Sequence, residues 1–123
     1  LEQFQSPAAV TGQIGEGYRY FLMDIGGVPA GYLSIKPEGE RLFLSKLYVA
    51  KDYRRRGVST KALEHLTDLC KKVGYTSIYL TVNKHNAGSI AAYGRLGFRK
   101  TREQTVDIGA GYVMDDYVME RKI

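Results

Sequence analysis

The chain has 123 residues, 44% hydrophobic and 25% charged, with 18 Lys and Arg against 13 Asp and Glu for a net charge of +5. That length supports one domain with a real core, not two, and no apolar run approaches the roughly 20 residues of a membrane-spanning helix. The lone cysteine, Cys70, excludes an intrachain disulfide framework and fits a reducing cytosol, so a cytoplasmic location is expected.

In chain order, Leu1–Ser6 is polar and carries no signal-peptide pattern. Ser6-Pro7 reads as an N-cap followed by proline, predicting a short helix from Pro7 to Ile14 that Gly15 and Gly17 stop. Tyr18–Asp24 and Pro29–Lys36 read as two strands of an antiparallel hairpin turned at Asp24-Ile25-Gly26-Gly27, and Pro37-Glu38-Gly39-Glu40 turns the chain again. The next strand, Leu42–Ala50, changes parity: Leu42 and Leu44 share one face by period two, whereas Leu47 and Val49 fall on odd positions. A β-bulge near Ser45-Lys46 would put all four on one side; a strand buried on both faces is the alternative.

From Val58 to Val73 the apolar residues Val58, Ala62, Leu63, Leu66, Leu69, Cys70 and Val73 recur at helical spacing, opposite Lys61, Glu64, His65, Asp68, Lys71 and Lys72, and Gly74 ends the helix. Cys70 is read as core and His65 as an exposed titrating side chain. Thr76–Val82 is a second core strand, Asn86 caps a helix over Ala87–Leu96 carrying Ile90, Ala91 and Leu96, and Gly97 stops it. Phe98–Ile108 and Gly111–Ile123 close the chain as a hairpin. The pattern is a mixed α/β sheet with covering helices.

Between strand and helix lies Arg54-Arg55-Arg56-Gly57-Val58-Ser59-Thr60. A helix N-terminus offers unpaired N–H groups and partial positive charge, glycine allows close backbone approach, and the arginines add fixed charge. This is a place to hold a pyrophosphate; the alternative is a basic surface turn. No G-x-G-x-x-G or G-x-x-x-x-G-K-[ST] is present, which argues against a dinucleotide fold or an NTPase. No basic stripe extends the arginine cluster into a nucleic-acid site, so nucleic acid is not the expected partner.

LYVAKDYRRRGVSTKAL followed by LTVNKHNAGSIAAYGRLGF resembles the GNAT superfamily of acetyl-CoA-dependent N-acetyltransferases. The resemblance rests on Leu47 and Val49, Arg54 and Gly57 of [Q/R]-x-x-G-x-[G/A], and then Asn86, Ser89, Tyr93 and Gly97-Phe98. It implies a single GNAT-like domain over residues 1–123, with a mostly antiparallel central sheet and acetyl-CoA as cosubstrate. It further implies that Arg54, Arg55, Arg56, Gly57, Val58, Ser59 and Thr60 hold the pyrophosphate. Leu47, Tyr48 and Val49 would pair with the pantetheine arm, with the Leu47 N–H serving the oxyanion. Asn86, Ser89 and Tyr93 complete the cofactor set, and Tyr93 acts as general acid. Read without the resemblance, Tyr93 is an ordinary helix aromatic. No metal ligand is assigned.

Two departures stand out. Ser59 replaces the usual glycine or alanine, and the chain starts short of the family pattern, with no counterpart to the first strand and first helix before Leu1; Leu1–Ile14 is expected to match the end of the second helix. The family's strand glutamate is missing, since Phe43 and Ser45 stand there, which leaves Asp115, Asp116 or Glu38 to act through water, or the amine to arrive already neutral. Asp107, Asp115 and Asp116 would attract a cationic amine or form a structural acidic pair. The segments LSKLYV and MDDYVM are similar to polyamine- and diamine-acetylating branches, so a small polyamine-like amine or a protein amine is the expected acceptor, and a homodimer the expected assembly. The competing reading is a non-catalytic acyl-CoA-binding protein.

Overall fold

The computed structural model describes residues 2–3, 13–14 and 17–123. Its strands are β1 (Glu2–Gln3), β2 (Gln13–Ile14), β3 (Tyr18–Ile25), β4 (Val28–Glu38), β5 (Arg41–Val49), β6 (Ser77–Asn83), β7 (Arg99–Gly109) and β8 (Tyr112–Lys122); its helices are α1 (Val58–Val73) and α2 (Ala87–Arg95). The strands form one sheet in the order β1-β3-β4-β5-β6-β8-β7, with β2 also on β3. Among the described strands only the β5–β6 pair is parallel, as the crossover through α1 requires.

Most of the helix expected over Pro7–Ile14 lies outside the described residues. Its end does not hold: Gln13 and Ile14 are extended and pair with Arg19 and Tyr18. The turn expected from Pro37 to Glu40 is also shorter. Pro37 and Glu38 stay in β4, opposite Leu42 and Arg41. The β3 ladder stops at Ile35, so Pro37, which has no N–H, sits where β4 has a strand on one side only.

The parity switch in β5 is a bulge. Ser34 faces Lys46 and Ile35 faces Leu44, which leaves Ser45 as the extra residue. Leu42 and Leu44 are buried, and Leu47 and Val49 pack against the same core. That core joins α1, through Val58, Ala62, Leu63, Leu66 and Cys70, to Met23, Leu33, Ile35, Ile78, Leu80, Val82, Phe98 and Met119. Two apolar expectations fail at helix surfaces. Val73, in the last turn of α1, is 58% exposed, and Ala91 on α2 faces solvent. Burial raises the Cys70 thiol pKa, consistent with a packing role.

By alternation, the sheet face away from α1 carries Tyr20, Tyr32, Ser34, Phe43, Lys46, Tyr48, Ser77, Tyr79, Asp116 and Val118. The buried polar side chains Ser34, Ser77 and Asp116 all belong to it.

Candidate functional site

β5 and β6 pair only at Arg41–Ser77, Leu42–Ile78 and Phe43–Tyr79. At the last shared rung the Phe43 and Tyr79 rings stack at 4.9 Å. The Tyr79 hydroxyl donates to the Glu38 carboxylate, and the Arg41 guanidinium lies 4.1 Å from the Tyr79 ring and 3.6 Å from Glu120, which also accepts from Ser77 Oγ. Burial, then Glu38, pushes the Tyr79 phenol up to about 12. This aromatic and ionic clamp closes the narrow end of a cleft. Beyond Phe43 no described strand pairs with β5 on the β6 side, and backbone groups there are available to an extended ligand.

Past the open end of β5, a 3₁₀ turn over Lys51–Tyr53 leads to the arginines. Arg55 and Gly57 are both left-handed, with φ of 62° and 78°. Gly57 takes the N-cap position of α1 without a side-chain cap. The first intrahelical bond is Lys61 N–H to Gly57 C=O at 3.0 Å, leaving the N–H groups of Val58, Ser59 and Thr60 without helical acceptors. A cavity of about 210 Å³ opens on these groups, lined by Val49, Tyr53, Arg54, Arg55, Gly57, Val58, Ser59 and Thr60.

The three arginines divide. Arg54 Nε donates to Val49 C=O at 2.9 Å and its guanidinium sits 5.8 Å from the Tyr48 ring, tying the turn to β5. Arg55 lines the cavity. Arg56 turns away, toward Asp52 C=O at 3.4 Å and the Tyr53 ring at 5.2 Å. Tyr53 was missed in the sequence; its position directly before the arginines is the only signal that points to it.

α2 starts just after the open end of β6. The Asn86 side chain caps it, accepting from Ser89 N–H at 3.1 Å, so these two residues answer each other. Tyr93 packs edge-on against Phe98, centroids 5.7 Å apart, and burial raises its phenol pKa, which keeps it protonated at neutral pH. Leu47, Tyr48, Asn86, Ser89 and Tyr93 do not line the arginine cavity; Leu47 and Tyr48 lie on the stretch of β5 beyond its last rung with β6. Among the described residues no group of three or more His, Cys, Asp or Glu is placed to hold a metal ion, and no helix is long and apolar enough to cross a membrane.

Residues 3–98 match the model of the Acetyltransferase (GNAT) family. The chain belongs to this family. Its similarity to the [ribosomal protein bS18]-alanine N-acetyltransferase of Escherichia coli K12 is 34% identity over 86 residues, 70% of this chain and 58% of the relative. The chain therefore spans somewhat over half the length of the curated relative it matches. The crystal structure of the ribosomal-protein-S18-alanine N-acetyltransferase from Escherichia coli superposes with a TM-score of 0.72 at 29% identity, covering 92% of this chain and 73% of that one. Nourseothricin acetyltransferase gives 0.75 at 26% identity, over 87% and 66%. These relatives do not single out the polyamine- or diamine-acetylating branch. Within this GNAT chain, the split between β5 and β6 and the turn at the start of α1 are contiguous, meeting at Val49.

Proposed function

We propose that the chain transfers an acetyl group from acetyl-CoA to a primary amine within a ternary complex. The observation that carries this reading is the end of β5–β6 pairing at Phe43–Tyr79 beside an uncapped, arginine-flanked helix start. The turn from Arg54 to Thr60 binds the pyrophosphate, with Arg55 as the outward cation and Arg54 as a brace. The unpaired side of Leu47, Tyr48 and Val49 aligns the pantetheine arm, and the Leu47 N–H beside the bulge stabilises the oxyanion. The amine lone pair attacks the thioester carbonyl carbon, the C–N bond forms and the C–S bond breaks. The thiolate takes the Tyr93 proton. The amine nitrogen loses its surplus proton to water, and water returns one to Tyr93.

The acceptor we favour is the α-amine of a peptide or protein. The alanine named in the Escherichia coli relative supports it. The homodimer expectation draws support from the exposed apolar tip of the β7–β8 hairpin, Val106, Ile108, Tyr112, Val113 and Met114.

Acetyl-CoA consumption with a panel of peptides and polyamines tests the reading. Tyr93→Phe is expected to lower kcat about 100-fold while leaving CoA affinity within twofold. Full activity in that variant would remove Tyr93 as the acid. CoA binding with no turnover on any amine would favour the non-catalytic reading, which the absence of a carboxylate at Phe43 and Ser45 keeps in play.

A further inference from the structure

Of the three polar side chains buried on the face away from α1, one is paired. Ser77 donates to Glu120, whereas Ser34 Oγ, in register between Tyr20 and Lys46, is sealed in without a hydrogen-bond partner. Asp116 is different. It is 6% exposed, and among the described residues no hydrogen bond or ion pair reaches its carboxylate. Its neighbour Asp115, on the other face of β8, has taken the local cation and hydroxyl: Lys84 at 3.0 Å and Thr105 at 2.9 Å. In register, Asp116 lies between Asn83 and Gln104, with Met114 and Val118 two residues away on its own face. All four are uncharged.

The Asp116 oxygens are not sealed from solvent, since the fully buried unpartnered side-chain atoms among the described residues are Ser34 Oγ and Thr67 Oγ1; the carboxylate is thus open to a ligand while no neighbour neutralises it. Its position is informative. β6 leaves β5 after Tyr79, so Thr81 and Asn83 line the open end of the cleft. Asp116 shares a rung with Asn83, one strand spacing of about 4.8 Å further in. A group lodged over Asn83 on this face is within reach of it.

We propose that Asp116 anchors the ammonium of the acceptor, which approaches over the sheet face away from α1. The inference rests on the transferase reading for what the amine then does, but not for its binding. It identifies the acceptor class as a primary ammonium ion held by a charge-assisted hydrogen bond, which gives one proton to water before its nitrogen can attack, and it places Asp116, rather than Asp115 or Glu38, at the acceptor.

The test is calorimetric binding of an alanyl tripeptide amide to the full chain loaded with CoA. Asp116→Asn is expected to weaken peptide binding at least tenfold, to leave CoA affinity within twofold, and to unfold at a temperature equal to or above that of the parent. Gln104→Lys, which sets an internal ammonium opposite Asp116, is expected to weaken peptide binding by a similar factor without touching CoA. Peptide affinity unchanged in Gln104→Lys overturns the proposal. So does an Asp116→Asn variant that unfolds earlier and loses CoA and peptide together, which would make the carboxylate a structural element. A parent chain that binds no peptide also overturns it. A parent that binds the peptide through Asp116 but does not acetylate it supports the anchor and removes the transferase reading.

Discussion

Lys46 Nζ donates to the Tyr20 hydroxyl at 3.2 Å, reaching across Ser34 on the strand between them. The contact joins β5 just past its bulge to β3, two strands away. It lowers the Tyr20 phenol pKa, chiefly through that hydrogen bond, and raises the pKa of Lys46 for the same reason. Tyr32 continues the row, 6.5 Å from Tyr20 and 5.5 Å from Tyr48 by ring centroids.

Ultraviolet titration of the tyrosines is therefore expected to show one phenol ionising ahead of the others. The early component should vanish in Tyr20→Phe and move up in Lys46→Met. An unchanged titration in Lys46→Met would mean that the pair does not persist in solution.

Arg55 separates charge from backbone. Its φ of 62° is left-handed, where a non-glycine residue pays roughly 1 kcal/mol or more. Arg55→Gly is expected to hold or raise the unfolding temperature while weakening CoA binding about tenfold, the equivalent of one charge-assisted contact. Arg54→Ala is expected to lower both, because Arg54 also bonds Val49 C=O and stacks near Tyr48. Calorimetry with CoA and thermal melts of the two variants provide the comparison.

Gly31 has no room for a side chain. A Cβ there would lie 2.1 Å from Tyr48 C=O and 2.8 Å from Met23 Cε. Gly31→Ala is expected to cost about 1–3 kcal/mol of stability and to displace Tyr48 and Val49 enough to impair CoA binding as well. A stable variant with unaltered CoA affinity would show that β4 and β5 can separate there without consequence.

Asp115 gives a pH signature. Lys84 and then Thr105 hold its carboxyl below the usual carboxylate range. The folded-state pKa is thus depressed, so the stabilisation is present above the unfolded value of about 3.9 and fades as pH falls through the folded value. Asp115→Asn is expected to melt below the parent at pH 7, and the two curves should begin to converge below about pH 4 and meet only beneath the depressed folded value. A gap that persisted there would point to packing rather than charge.

How far the sequence carried depended on whether the determinant was local. The bulge was legible because Leu44 and Leu47 break period two, and an extra residue near Ser45-Lys46 reconciles them with one core; the pairing of Ser34 with Lys46 and Ile35 with Leu44 decides it against a strand buried on both faces. The helix start at Gly57 and the cap at Asn86 were legible because capping is decided within a few residues. The parting of β5 from β6 was not, since nothing in Phe43 or Tyr79 says where two distant strands stop pairing. The division of the arginines was equally hidden, because it depends on Val49 C=O, Tyr48 and Tyr53 converging on them. In MDDYVM two adjacent carboxylates look alike; only strand orientation gives Lys84 to Asp115 and leaves Asp116 unanswered.

The cleft at Phe43–Tyr79 also bears on solubility. An unpaired strand edge is ordinarily an invitation to another chain, and proteins protect it with charge, proline or brevity. Here the unpaired stretch of β5 faces inward, toward the rest of its own sheet, with β6 anchored to it below and the arginine turn above. A neighbouring molecule's sheet edge has no free flank along which to align. The protein can thus keep hydrogen-bonding backbone permanently open for a ligand without offering a template for stacking into aggregates.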